Sequence, residues 1–139
     1  MAQSTRRICG FHIARGNPVS KPVRVRNIFL ILIGVVGLLL KRWMAVSIGE
    51  AAYCYLGNLS VSFAVYFIIS IGARRRFSKL LLVWAALTVV EAFELTNGFG
   101  IMSNVYDPLD LLANAIGIVF ALAMDVVLDH LQVRRLDAT

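Results

Sequence analysis

Four long apolar stretches, separated by charged or turn-forming residues, constrain this chain more than any other feature. The hydrocarbon core of a bilayer is about 30 Å thick and is usually crossed by about 20 apolar residues in a helix. Of the 139 residues, 59% are hydrophobic and 16% are charged, whereas soluble domains are about 45–50% apolar and about 25% charged. The sequence therefore predicts an all-α polytopic membrane protein, with four transmembrane helices in an antiparallel bundle.

The predicted organisation is a single membrane domain, 27–130, between a polar basic tail at 1–26 and a C-terminal tail at 131–139. No small-residue cleavage site follows the first apolar stretch, so we expect that stretch to remain as a helix. The predicted helices are about 27–40, 48–72, 79–96 and 108–128.

The ends of these helices carry recognisable signals. The first helix, at about 21 Å, is short for a bilayer. Snorkelling of Arg26 and Lys41, or local thinning of the bilayer, would close the gap. Ser47 and Glu50 have the spacing of a capping box, which predicts the start of the second helix. Asp107 followed by Pro108 predicts the start of the fourth, with aspartate as the cap and proline in the first helical position.

The distribution of Lys and Arg predicts the orientation. Six lie in the N-terminal tail, four after the second helix and two in the C-terminal tail; two follow the first helix, and none lies in the loop Asn97–Tyr106. The positive-inside rule then places both termini in the cytoplasm of a multi-pass cell (inner or plasma) membrane protein. Because the basic residues flank apolar stretches, the net charge of +6 does not indicate nucleic-acid binding.

Acidic and amide side chains gather near the predicted outer face of the bilayer. Ionisable groups inside a membrane are costly, so each requires a partner or a purpose. Glu91 and Glu94 are three residues apart on the third helix and so share one face. The predicted outer polar cluster, a binding site for an unidentified ligand, consists of Glu91, Glu94, Asp107, Asp110, Asn114 and Asn58.

Structural interpretations compete with this hypothesis. The two aspartates lie where carboxylates stabilise a helix N-terminus. The two asparagines could simply hydrogen-bond between helices. Glu94 is close enough to the interface to be solvated, whereas Glu91 lies about a turn deeper and is the hardest to explain structurally. With no basic residue near, we expect Glu91 to be protonated or bound to a cation.

Small residues at helix-packing spacing occur on the first and fourth helices. Close approach of helix backbones in membranes favours such residues. The predicted packing residues are Gly34, Gly37, Ala113, Gly117 and Ala121.

The other chemistry-bearing residues predict no metal and no cofactor. Cys9 lies in the polar tail and Cys54 in an apolar stretch, and neither has metal-ligand spacing. Asp125 and Asp129, near the predicted cytoplasmic end of the fourth helix, are interpreted as an interfacial or solvated face.

The acidic pattern resembles the last two helices of VanZ-like proteins, small bacterial membrane proteins named after a teicoplanin-resistance accessory. The matching residues are Glu91-x-x-Glu94, then Asp107-x-x-Asp110-x-x-x-Asn114-x-x-Gly117. The resemblance covers about 80–128 and implies a site on the outer face, where cell-wall precursors and glycopeptides are encountered.

The departures indicate a divergent member of that family. Glu94 stands where the family prefers Gln, and the outer loop lacks the family's Arg. On the second helix, the family tends toward Asp-Lys, a His four residues after the Asp and a Tyr four further on. This chain has Asn58-Leu59, Ser62 and Tyr66, so that only the Tyr is retained.

Three functions follow as hypotheses. The first is a non-enzymatic modulator of the envelope or of antibiotic susceptibility, with a cell-wall precursor or glycopeptide as ligand. The second is a proton- or cation-coupled transporter, which would require a homo-oligomer joined through small-residue helix faces. The third is an intramembrane enzyme acting on a lipid-linked substrate through Glu91 or Asp110; the absence of a nucleophile with a base at recognisable spacing argues against it.

Overall fold

In the described part of the chain, all regular secondary structure is α-helix. The structure is a computed structural model that describes residues 21–48, 50–96 and 107–137, with side chains at 21–40, 55–96 and 107–134. The prediction of an all-α chain with four helices is confirmed for these residues, whereas the predicted outer loop and most of the N-terminal tail lie outside them. The helices are α1 (Lys21–Ile48), α2 (Glu50–Ala73), α3 (Lys79–Leu95) and α4 (Pro108–Asp137).

Three of these helices are long and apolar enough to cross a membrane. The segments that meet this criterion among the described residues are Lys21–Leu40, Tyr55–Ala73 and Pro108–Arg134. The remaining helix, α3, has 17 residues and is therefore about 25 Å long. Length and composition thus support the prediction of a membrane protein.

The first helix extends beyond the predicted 27–40 in both directions. Pro22 lies in its first turn, where the missing N–H of proline would have no helical partner in any case. Lys41 ends the apolar stretch but not the helix, because lysine has a high helix propensity. Ser47 therefore lies in the last turn of α1, and the prediction that it caps the second helix is wrong.

The starts of α3 and α4 have side-chain caps. Ser78 Oγ accepts a hydrogen bond from the Leu81 amide at 3.4 Å, and Asp107 Oδ1 accepts one from the Leu109 amide at 2.9 Å. The predicted aspartate cap is thus confirmed. Helix α4 runs past the predicted end at 128 to Asp137.

The second helix is central to the packing. It packs against α1, α3 and α4, and α3 also packs against α4. Tyr66 and Phe67 of α2 are completely buried, and the Phe63 and Phe67 rings meet edge to face with centroids 5.1 Å apart. The buried residues of α3 recur every fourth position, which gives one face toward the core; they are Leu82, Ala86 and Val90.

The predicted packing glycines lie at close approaches between helices. A Cβ added at Gly34 would lie 2.9 Å from the Ser60 carbonyl oxygen, and one added at Gly117 would lie 2.5 Å from the Leu59 carbonyl oxygen. At Gly37 the added Cβ would lie 2.9 Å from the Ser60 hydroxyl oxygen. The other two predicted packing residues, Ala113 and Ala121, are buried on α4.

We expect Gly117→Ala to lower the free energy of unfolding by about 1–3 kcal/mol, because overpacking would force α2 and α4 apart. Gly72→Ala is the matched control, since a Cβ there would meet nothing within 4 Å. Denaturation of both variants in detergent micelles, followed by circular dichroism, measures the difference. Equal stability of the two variants would contradict the tight contact.

Candidate functional site

Five charged side chains form an ion network where parts of all four helices meet. One comes from α1, one from the turn between α2 and α3, one from α3 and two from α4. The two carboxylates are four residues apart on α4 and so lie on one face. The members of the ion network are Arg26, Arg74, Lys79, Asp125 and Asp129.

The carboxylate of Asp125 is at the centre of the ion network and has no exposure to solvent. Its Oδ1 accepts hydrogen bonds from Arg26 Nη2 at 2.6 Å and from Arg74 Nη1 at 2.5 Å. Its Oδ2 accepts one from the Tyr66 hydroxyl at 3.3 Å and lies 3.4 Å from Lys79 Nζ. Charge-assisted bonds of this kind compensate the cost of removing a carboxylate from water.

The carboxylate of Asp129 joins the same three cations and is 28% exposed. Its Oδ1 accepts from Arg26 Nη1 at 2.8 Å, and its Oδ2 lies 2.7 Å from Lys79 Nζ. Arg74 Nη2 also donates to Oδ2. Arg26 and Arg74 thus each bridge both aspartates.

Electrostatics favour the charged form of Arg74 in the ion network. Burial disfavours a charge on Arg74, but hydrogen bonds to Asp125 and Asp129 and the attraction of both carboxylates outweigh that effect and raise the pKa of Arg74 above its ordinary value. Beside the network, the buried Asn27 accepts from Arg26 and donates to the Ser70 hydroxyl at 3.3 Å. The polar groups at this end of α1 are therefore bonded to two other helices.

The prediction of an interfacial or solvated face is wrong for Asp125, which is completely buried, whereas Asp129 is partly exposed. A sequence signal for this existed. Asp125 continues, at helical spacing, the buried stripe of α4 that contains Asn114, Ile118 and Ala121. An acidic residue on a packing face requires a basic partner, and basic residues flank the other three helices.

Three residues of the predicted outer polar cluster, Asn58, Glu94 and Asn114, line one cavity of about 680 Å³. Most of its other lining residues are apolar, and they include Leu38 of α1 and Phe93 of α3. Pockets for small molecules commonly have about 300–1,000 Å³, apolar walls and a few polar groups. The cavity therefore has the size and lining of a small-molecule site.

The amide of Asn114 is held at the cavity wall. Asn114 is buried, and its Oδ1 lies 2.6 Å from the Ser62 hydroxyl oxygen, which also lies 2.6 Å from the Asn58 carbonyl oxygen. A hydroxyl has one proton, so Ser62 donates to one of these acceptors at a time. This bond links α2 to α4 at the level of the cavity.

The two aspartates of the predicted outer polar cluster, Asp107 and Asp110, do not line this cavity. Besides capping α4, Asp107 accepts a hydrogen bond from the Tyr55 hydroxyl at 3.1 Å. Asp110 is buried in the first turn of α4, where a carboxylate interacts favourably with the helix dipole. The contacts of Asp107 are thus those of a helix cap that also joins α4 to α2.

Glu91 also lies outside the cavity lining, although it is three residues from Glu94. Its Oε2 is enclosed and has no hydrogen-bond partner within the described ranges. An unpaired carboxylate oxygen away from water is costly. That Glu91 is protonated or bound to a cation stays a prediction, and the enclosed oxygen is the feature that motivates it.

Comparison of the chain with models of protein families, with curated proteins and with solved structures finds no match. The resemblance to VanZ-like proteins therefore depends on the spacing of its residues alone. Three of those positions now have packing or capping contacts, namely Asp107, Asn114 and Gly117.

We expect Asp125→Asn to lower the free energy of unfolding by about 3–5 kcal/mol, because it removes the buried counter-charge that the partly buried Arg26 and Arg74 share. Asp129→Asn should cost less, since that carboxylate is partly exposed. Denaturant titration of both variants in detergent micelles makes the comparison. An equal or smaller loss for Asp125→Asn would show that the network does not depend on its buried carboxylate.

Proposed function

We propose that this chain is a four-span protein of the cell membrane, with neighbouring helices antiparallel and both termini cytoplasmic. The contacts of α3 support a fourth span. Its first residue, Lys79, lies 2.7 Å from Asp129 in the ion network, and Glu94 lines the cavity. These two residues are separated by about 22 Å of helix. Helix α3 therefore extends between the same two levels as its neighbours α2 and α4.

The charges support the orientation. Several basic residues near the ion network are exposed, in addition to those that pair with the aspartates; they are Lys21, Arg24, Arg75 and Arg76. Excess Lys and Arg are typical of the cytoplasmic side. The ion network is then at the cytoplasmic end of the bundle, and the cavity opens nearer the outer face.

We expect cysteine labelling from outside intact cells to distinguish the two ends. In a background of Cys9→Ser and Cys54→Ser, Ser103→Cys should react with a membrane-impermeant maleimide, since its loop is proposed to face outward. Arg75→Cys should react only after the cells are permeabilised. The reverse pattern would invert the topology, and labelling of both positions in intact cells would show that α3, the helix between them, does not cross the membrane.

The proposed function is that of a VanZ-like, non-enzymatic modulator of the envelope or of antibiotic susceptibility. The observation that carries it is the cavity that Asn58, Glu94 and Asn114 share. Under the proposed orientation it is located where a cell-wall precursor or glycopeptide would be met. Binding through one carboxylate, two amides and apolar walls suits recognition without bond-breaking chemistry.

The transporter hypothesis ranks second because of the enclosed oxygen of Glu91. Opposite the cavity, the ion network fills the space between the helix ends with paired side chains, including the fully buried Asp125. A path through one copy of the chain would have to break these ion pairs. Transport would therefore require a homo-oligomer with its pathway between copies.

We expect the wild-type chain, expressed in a glycopeptide-sensitive bacterium, to raise the inhibitory concentration of teicoplanin several-fold. Glu94→Gln and Asn58→Leu should lose this protection at equal membrane levels, because both side chains line the cavity. Asp137→Asn is the control, since it removes a carboxylate at the opposite end of α4. Protection that survives both cavity variants would separate the phenotype from the cavity, and no protection by the wild type would refute the proposed function.

A further inference from the structure

Basic residues are in excess at the end of the bundle that holds the ion network. Among the side chains that the structure describes there, eight are Lys or Arg, and the two aspartates of the network are the acidic ones. The chain before Lys21 and after Arg134 does not reverse this balance, because residues 1–20 contain three Arg and no Asp or Glu, and residues 135–139 contain one Arg and one Asp. The excess of positive charge therefore holds wherever those two segments lie.

Part of this excess lies in the turn where α2 is followed by α3. Arg75 and Arg76 are exposed in that turn, and the side chain of Lys79, at the start of α3, is 34% exposed. The neighbouring ion network has three cations and two carboxylates, so its own pairing leaves one positive charge over. The turn therefore carries net positive charge whichever partners its arginines have.

An exposed apolar stripe begins at the same turn. Leu80, Leu81 and Trp84 recur at helical spacing on α3, and Phe77 precedes them in the turn. Between 47% and 65% of each of these four residues is exposed. Trp84 lies about 8 Å of helix beyond the first residue of α3. In a membrane-spanning protein such a stripe contacts lipid chains, so a lipid beside it has its head group at the basic turn.

We propose that the turn and the stripe bind an anionic phospholipid of the surrounding leaflet. Its phosphate contacts the guanidinium group of Arg76, and one acyl chain lies along Leu80 and Trp84. Guanidinium groups bind phosphate through charge-assisted hydrogen bonds, and basic residues at a membrane surface attract anionic lipids. The apolar stripe next to the turn favours a lipid over a soluble anion. This inference rests on the membrane placement of the proposed function and is independent of the cavity.

The test measures how phospholipids that are brominated in their acyl chains quench the fluorescence of Trp84. Trp43→Phe leaves Trp84 as the only tryptophan of the chain. The full chain with this change is reconstituted in vesicles of phosphatidylcholine and phosphatidylglycerol, with one or the other lipid brominated, and quenching across mixtures gives their relative association constant. We expect phosphatidylglycerol to associate about fivefold more tightly. That ratio equals about 1 kcal/mol, the contribution of one basic residue near an anionic surface.

Substitutions of Arg76 separate charge from structure. Arg76→Gln should lower the preference for phosphatidylglycerol to about twofold or less, whereas Arg76→Lys should keep most of it, because both cations attract phosphate. Arg76 is exposed, so neither change removes a buried contact. Lys41→Gln is the matched control. It makes the same change of charge about 30 Å along α1 from Lys21 and should leave the preference unchanged.

Inorganic phosphate distinguishes a lipid ligand from a soluble anion. Compared with sodium chloride of equal ionic strength, it should leave the preference for phosphatidylglycerol unchanged, because it has no chain to lie on the stripe. Equal association of the two lipids in Trp43→Phe, or an unchanged preference in Arg76→Gln, would overturn the proposal. A preference that phosphate abolishes and chloride does not would overturn it as well.

Failure of this inference is distinguishable from failure of the proposed function. If the two lipids associate equally while cysteine labelling shows the proposed topology, the lipid site is wrong and the four-span arrangement stands. If phosphatidylglycerol is preferred but the labelling pattern is reversed, the lipid site stands and its lipid belongs to the outer leaflet.

Discussion

The buried carboxylate of Asp125 is the constraint on which the arrangement of this molecule depends. A carboxylate without any exposure to solvent is tolerated only with close positive partners. Those partners, Arg26 and Arg74, come from the start of α1 and from the turn after α2. A shift of any of these segments by one turn would leave charges buried and unpaired. The ion network thus specifies how the helix ends meet, which apolar packing alone would specify less sharply.

The position of the cavity follows from how the remaining contacts are distributed. Helix α1 approaches α2 closely through Gly34 and Gly37, and α3 packs on α2 and α4 through its buried face. Because these contacts place α1 and α3 on α2, and the described residues of α1 and α3 do not pack against each other, a space remains between the two helices. The small residues that allow one close contact therefore also contribute to the shape of the cavity.

Hydropathy and end signals predicted much of the fold. The number of helices within the described ranges, the aspartate cap of α4 and the start of α3 at Lys79 agree with the structure. The ends of α1 and α4 differed from the prediction, because hydropathy marks where an apolar stretch ends and not where helical hydrogen bonding stops. Ser47 shows the same limit: a capping pattern has no effect where the preceding helix continues through it.

The sequence predicted the candidate site only in part, and Asp107 and Asp125 show why. Spacing on one helix indicates a shared face, yet of Glu91 and Glu94 only Glu94 lines the cavity. Which groups from different helices come together depends on tertiary packing. Asn58, Glu94 and Asn114 do share a cavity, whereas Asp107 is bonded to its own helix end and to Tyr55. Asp125 was misjudged because its partners are distant in sequence.

The two ends of the bundle differ in how the space between the helices is filled. In the ion network, three cations surround two carboxylates, and the resulting hydrogen bonds hold the helices together. Towards the other end, Asn58, Glu94 and Asn114 line a cavity of about 680 Å³ whose other walls are mostly apolar. Folded proteins contain few voids larger than a water molecule. A space of this size between packed helices is therefore the physical reason to look for a bound molecule there.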